Sequence, residues 1–220
     1  MTNINILDFH THRQDAQDAL ISVDPREFKP QPGLWYSVGF HPWIEADELG
    51  QDEFDILERH ASHPQVLAIG ETGMDNRRGG NLEAQAAVFV RHLRLAATVG
   101  KPVVVHSVKT AQQILAERKK AGLDAVPLVI HGMRANANVA RVLLQAGCYL
   151  SFGMNFNSEA LLITPLDRLL IETDEGPNAI ADVASRVAAT LGITVEELTR
   201  QVPANVSRLL ADHRTHQQPS

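Results

Sequence analysis

A single cysteine, Cys148, excludes a disulfide within the chain and fits a reducing compartment. No apolar run reaches membrane-spanning length, and the first residues lack the basic and apolar regions of a signal peptide. A cytoplasmic protein with no membrane contact is therefore expected. No low-complexity block or Gly/Ser-rich linker interrupts the 220 residues, which predicts one domain over 1–212 and a polar tail at 213–220. Positive charge is also short: 20 Lys and Arg against 26 Asp and Glu leave a formal net charge of -6. That argues against a broadly basic nucleic-acid surface, because backbone binding is driven by Lys and Arg, though it leaves room for a local basic rim. What is present is an ordinary globular composition, 44% hydrophobic and 21% charged, long enough for one sizeable core.

Eight short apolar runs recur along the chain: "INILDF", "ALISVD", "LWYSVGF", "VLAIGE", "PVVVHS", "PLVIHG", "CYLSFG" and "RLLIETD". Amphipathic helical patterns separate the later ones: "ADELGQDEFDILERHAS", "NLEAQAAVFVRHLRLAATVG", "VKTAQQILAERKKAG" and "NANVARVLLQAG". Strands alternating with helices at this length predict an α/β fold, a small (β/α)8 TIM-type barrel. The first half fits less well. Only "HRQDAQD" and "PREFKPQPG" lie between the first three strands, too short for ordinary crossovers, so the first two outer helices are expected to be reduced or missing. A partner chain or second copy covering that flank, or an unusual local packing there, is expected. After the last strand, "AIADVASRVAATLG", "TVEELTRQV" and "PANVSRLLADH" read as closing helices, with Thr194 and Glu197 forming a capping box.

In a barrel of this kind the chemistry sits at the C-terminal ends of the strands. Five of the ten histidines, His10, His12, His41, His106 and His131, fall at or just past such ends. The other five, His60, His63, His92, His213 and His216, lie in helical or tail segments and are expected to be solvated. Glu71 and Asp174 close otherwise apolar strands, where a carboxylate is costly to bury unless it is paired or metal-bound. One H-x-H alone would read equally as two core histidines. The ordered set His10, His12, Glu71, His106, His131 and Asp174 reads as a metal site. One catalytic zinc takes three protein ligands, so six suit two divalent cations with a shared carboxylate. Glu71, mid-set, is the candidate bridge, and Asp174 the candidate proton acceptor.

These residues, in this order, resemble the amidohydrolase superfamily, and the local motifs resemble its TatD-type metal-dependent deoxyribonucleases. The motifs are "DFHTH", "GFHPW", "GETGMD", "PVVVHS", "HGMRA", "LLIETD" and "ANVSRLL", running from Asp8 to Leu210 in the family's sequence. The resemblance implies that the six residues bind the metals, with zinc, manganese and magnesium all compatible, and that His41 contacts a substrate phosphate. Asp8 and Glu172 are strand neighbours of these ligands on the same face, so they are expected behind them, orienting imidazoles; the alternative is a pair of barrel-floor groups bonded to each other. Asp75 matches a family aspartate whose role stays open.

The departures lie on the rim. Asn76 replaces the usual aromatic, "HGMRA" has lost a phenylalanine and a serine, and Lys109 stands near an absent arginine. Arg13, Arg77, Arg78, Lys109 and Arg134 are candidate phosphate contacts, each of which could equally be a solvated surface charge. Trp43, after "FHP", is a candidate base-stacking residue or a hydrophobic staple. The expectation is a deoxyribonuclease in which a metal-bound hydroxide hydrolyses the phosphodiester at single-stranded DNA ends. The alternatives are a two-metal hydrolase of a small phosphate ester, amide or lactone, and a non-catalytic metal-binding subunit of a complex.

Overall fold

In the computed structural model, which describes residues 4–212, each of the eight apolar runs contributes a strand. The strands are β1 (Asp8–Thr11), β2 (Ala19–Val23), β3 (Trp35–Val38), β4 (Val66–Asp75), β5 (Val103–Val108), β6 (Leu128–Ile130), β7 (Tyr149–Phe152) and β8 (Leu169–Ile171). They pair in chain order, all parallel, and β8 closes on β1 through Ile171 and Asp8. This is the TIM-type (β/α)8 barrel. The expected tail at 213–220, with His213 and His216, lies outside the described residues.

The helices are α1 (Gln51–Ala61), α2 (Leu82–Val99), α3 (Ala111–Lys120), α4 (Ala137–Gln145), α5 (Ser158–Leu162), α6 (Ile180–Leu191) and α7 (Val195–Asp212). Local chemistry sets their ends. The Asn81 side chain accepts from Glu83 N–H at the start of α2, and Gly100 ends that helix in the left-handed region at φ 63°. Thr194 and Glu197 bond reciprocally before α7, as the capping-box pattern predicts.

Two expectations need adjustment. The short α5 was not legible in "MNFNSEALLITP". And the two closing helices read around Pro203 are one helix, α7. Pro203 forgoes a hydrogen bond, but Leu198, Val202, Val206 and Leu209 form one buried stripe on both sides of it, and that packing outweighs the break. Asn205 adds to this by donating to Leu166 O (2.6 Å) and Leu169 O (2.8 Å) at the entry to β8.

The first two crossovers contain no α-helix: a turn joins β1 to β2, and a single 3-10 turn, Pro25–Glu27, lies between β2 and β3. The flank is nonetheless closed by the chain itself. All of β1, β2 up to Ser22 and β3 beyond Trp35 are buried. Phe28 fills the gap edge-on to Tyr36 (ring centroids 5.2 Å) and against His60 (5.0 Å) and His63 (5.4 Å). This is the unusual local packing expected there as the alternative to a partner chain. No helix among the described residues is long and apolar enough to cross a membrane.

Candidate metal centre

The strand ends aim a set of donors at one point on the barrel axis. β4 carries the central one. From Ile69 to Thr72 it advances three positions where β5 advances two, from Val103 to Val105, and this irregularity turns Glu71. Gly70 (φ 112°) permits the close approach, since a Cβ there would lie 2.3 Å from Val104 O. At the barrel seam, Asp174 N–H donates to His10 O (2.9 Å), which fixes Asp174 beside the His10–His12 pair.

Five imidazoles surround the Glu71 carboxylate, divided between its two oxygens. Oε2 lies 3.2 Å from His10 Nε2 and 3.3 Å from His12 Nε2. Asp174 Oδ1 stands on the same side, 3.7 and 3.8 Å from those nitrogens. Oε1 faces His131 Nε2 at 2.8 Å, His106 Nδ1 at 3.0 Å and His41 Nε2 at 3.0 Å.

The donor chemistry fits a metal. His10 is fully buried and His131 nearly so, yet neither nitrogen of either ring makes an aligned hydrogen bond, and Glu172 Oε2 is likewise unpartnered. Buried polar atoms left in this way are costly. A cation held among His10, His12 and Asp174, or among Glu71, His10 and His131, would satisfy the imidazoles, and in each of these groups the donor atoms lie within 4.8 Å of one another. Burial pushes the Glu71 carboxyl up, but the imidazoles of His131 and His10 outweigh it and hold the group well below the usual carboxylate range. Burial conversely pushes His131 down, and Glu71 with Glu172 lifts it well above the ordinary imidazole value. Coordinating imidazoles must be neutral, so filling the centre releases protons.

Outer partners orient these rings. Asp75 Oδ2 accepts from His106 Nε2 (3.1 Å) and from the Trp43 indole N–H (2.8 Å), and Oδ1 accepts from Arg77 N–H (2.8 Å). With a cation bound at Nδ1, His106 would carry its hydrogen on Nε2, toward Asp75. His41 has the opposite arrangement. Its Nδ1 accepts Trp43 N–H (3.1 Å), so in the neutral ring Nε2 is the donor, aimed at Glu71. Glu172 Oε1 accepts Gly132 N–H (2.6 Å) and lies 3.5 Å from His131 Nδ1.

Asp8 does not take the place expected of it. Among the described residues it bonds neither an imidazole nor Glu172; it accepts from Thr173 N–H (2.9 Å) and Thr173 Oγ1 (2.6 Å). It therefore holds the segment before Asp174, and burial raises its carboxyl to about 6.

Comparison with known proteins decides the family. The family described as TatD related DNase matches residues 25–211. The chain belongs to the TatD family. The metal-dependent hydrolase YabD of Bacillus subtilis is 28% identical over 197 residues, covering 80% of this chain and 77% of YabD. A Cronobacter turicensis protein described as 3'-5' ssDNA/RNA exonuclease TatD is 36% identical over 152 residues, 64% of this chain and 57% of that one. The crystal structure of YjjV, a TatD homologue from Escherichia coli, has the same fold with a TM-score of 0.80 at 19% identity, covering 95% of this chain and 98% of YjjV. The protein is accordingly a TatD-family metal-dependent hydrolase.

In this TatD barrel the expected rim residues do not converge as the ligands do. A cleft of about 340 Å³ opens over Glu71, lined by His12, His41, Trp43, His106, His131 and Asp174, and on its far side by Asp24, Glu27 and Glu175. Among the described residues no lysine or arginine lines it. Lys109 and Arg134 line a neighbouring cleft instead. Arg78 stacks over the Trp43 ring at 4.6 Å, and Arg77 is exposed. Arg13 is a brace, donating to Gly176 O and Asn178 O (both 2.7 Å). Trp43 is neither bare nor a buried staple: its N–H is tied to Asp75 and its ring stays 42% exposed at the cleft.

Two working residues escaped the sequence reading. His92, expected to be solvated, is fully buried; its Nε2 accepts Phe40 N–H (3.0 Å), next to His41, and its Nδ1 donates to Val88 O (2.8 Å). Gln85 accepts Asp75 N–H (2.7 Å) and donates to Arg78 O and Gly79 O (both 2.9 Å), fixing the loop beside Trp43. The signal was available. Gln85, Phe89, His92, Leu93 and Ala96 are the buried residues of α2 and follow its helical period.

Proposed function

We propose that this TatD-family hydrolase holds two divalent cations and trims single-stranded DNA from an end by phosphodiester hydrolysis. The observation that carries the reading is the division of labour at Glu71: one oxygen faces His10 and His12, which Asp174 also approaches, and the other faces His106, His131 and His41. A bridging carboxylate with a separate donor group at each oxygen is what a two-cation site requires, with zinc, manganese or magnesium as occupants. Bound cations would polarise the phosphoryl group and neutralise the charge building on it.

The chain's own residues then have distinct tasks. Asp174 is placed to accept the proton from the attacking water. His41 Nε2–H is a donor toward a phosphate oxygen. Asp75 and Glu172 keep His106 and His131 in orientation, and Asp8 holds the backbone leading to Asp174. The relative described as an ssDNA/RNA exonuclease supports the nucleic-acid substrate. A single strand also suits a narrow barrel mouth and needs only a few cationic and stacking contacts, here Trp43 with Arg78, while Lys109 and Arg134 supply charge at the rim. Arg77 is an outlying contact at most.

A second reading has its own observation. Glu27 and Glu175, beside an Asp24 that is paired with Arg26, favour a small uncharged or singly charged substrate, such as a phosphate ester, amide or lactone, over a polyanion. The deciding experiment supplies chelated protein separately with zinc, manganese and magnesium, then offers an end-labelled single strand and bis-nitrophenyl phosphate. Stepwise, metal-dependent shortening of the strand is expected. Hydrolysis of the small diester with no strand shortened by any metal would hand the site to the second reading.

A further inference from the structure

A second cleft, about 350 Å³, lies beside the metal centre between the loops that follow β5 and β6. That size falls within the range of small-ligand sites, roughly 300–1,000 Å³. His131 lines both clefts, so they meet at a member of the metal cluster. Their charges differ in sign. The first ends in Glu27 and Glu175, beside an Asp24 paired with Arg26, while the second carries Lys109 and Arg134 at its rim over apolar Met133 and Val139. Lys109 is held at φ 57°, a conformation that a residue with a Cβ adopts rarely and that collects at functional sites. Arg134 reaches back towards the centre, 3.9 Å from Asp174 Oδ2, with its side chain 64% exposed.

We infer that the second cleft is a nucleoside subsite, taking the residue on the polymer side of the cleaved phosphate. The base lies on the Met133–Val139 floor, its edge is met by the exposed amide of Gln113, and the next phosphate is held by Lys109 and Arg134. The acidic wall repels a polyanion from the opposite side, so the strand leaves the centre past His131 into this cleft. The assignment rests on the nuclease reading above and adds to it the path of the strand.

The test uses single strands with and without an abasic residue second from the end, together with the Lys109→Gly variant. Glycine removes the cation and accepts the positive φ without strain, so folding is protected. Binding of a fluorescein-labelled strand to chelated protein is followed against sodium chloride. Lys109→Gly is expected to flatten the dependence of log affinity on log salt by about 0.7, one phosphate contact on a single strand. With metal restored, the abasic strand should be trimmed by the parent protein on the order of tenfold more slowly than the intact one, the loss expected of one base contact. Equal trimming of both strands together with an unchanged salt slope, in a parent protein that does trim, would overturn the subsite and leave the nuclease reading standing. A parent protein that cleaves bis-nitrophenyl phosphate and no strand would overturn both.

Discussion

His92 should make the protein sensitive to acid by a route separate from the metal centre. Its imidazole is fully buried and neutral, accepting Phe40 N–H at Nε2 and donating to Val88 O from Nδ1, so it cannot take a second proton without losing the Phe40 bond. Burial pushes its pKa down to about 4, against about 6.5 in the unfolded chain. The unfolded chain therefore binds the proton first as pH falls. The stability that His92 contributes is complete above about pH 6.5, is lost progressively below it, and is gone near the folded value. The full difference corresponds to about 3 kcal/mol, and the loss at pH 5 to about 2 kcal/mol. Urea unfolding of the protein and of a His92→Gln variant at pH 7.5 and pH 5 isolates the effect, because the metal cluster is the same in both and cancels in the difference. The parent's advantage over the variant should shrink by about 2 kcal/mol on going to pH 5. An advantage equal at both pH values would refute the reasoning.

Other consequences are as direct. Asp75→Ala removes the carboxylate that orients His106, and metal affinity measured by competition with a chromophoric chelator should fall by about 10- to 100-fold with the fold retained. Asn205→Ala leaves the Leu166 and Leu169 carbonyls without their donor; it should lower unfolding free energy by about 2–3 kcal/mol while metal content per folded molecule stays at the parent level. Arg134→Ala should weaken strand binding most at low salt, and a loss equal at low and high salt would remove it from the phosphate contacts.

The barrel and the convergence of its candidate ligands were legible in the sequence because both follow from strand ends. Buried parallel strands read as continuous apolar runs, and a His, Glu or Asp closing such a run stands out against them. The (β/α)8 architecture and the missing early helices emerged from spacing alone. What was not legible depends on how separate segments meet. Phe28 lies in a proline-rich stretch and closes the flank only because α1 brings His60 and His63 against it. Asp8 sits in register with the ligand histidines, but the Thr173 hydroxyl and N–H capture it across the barrel seam. Pro203 punctuates a sequence whose buried stripe continues past it. The rim charges were the least readable, since loop conformation sends Lys109 and Arg134 to one cleft and ties Arg13 to a backbone. His92 and Gln85 were readable and were hidden by the habit of treating polar helical residues as solvated.

The central claim, that Glu71 joins two cation sites, is tested most directly by metal stoichiometry. Protein loaded with excess zinc or manganese, freed of unbound ion and measured by elemental analysis should hold two equivalents per chain. The Glu71→Ala variant should hold at most one and lose turnover, while its circular dichroism spectrum remains that of the parent. Two equivalents retained by the variant, or no more than one bound by the parent at saturating metal, would contradict the account.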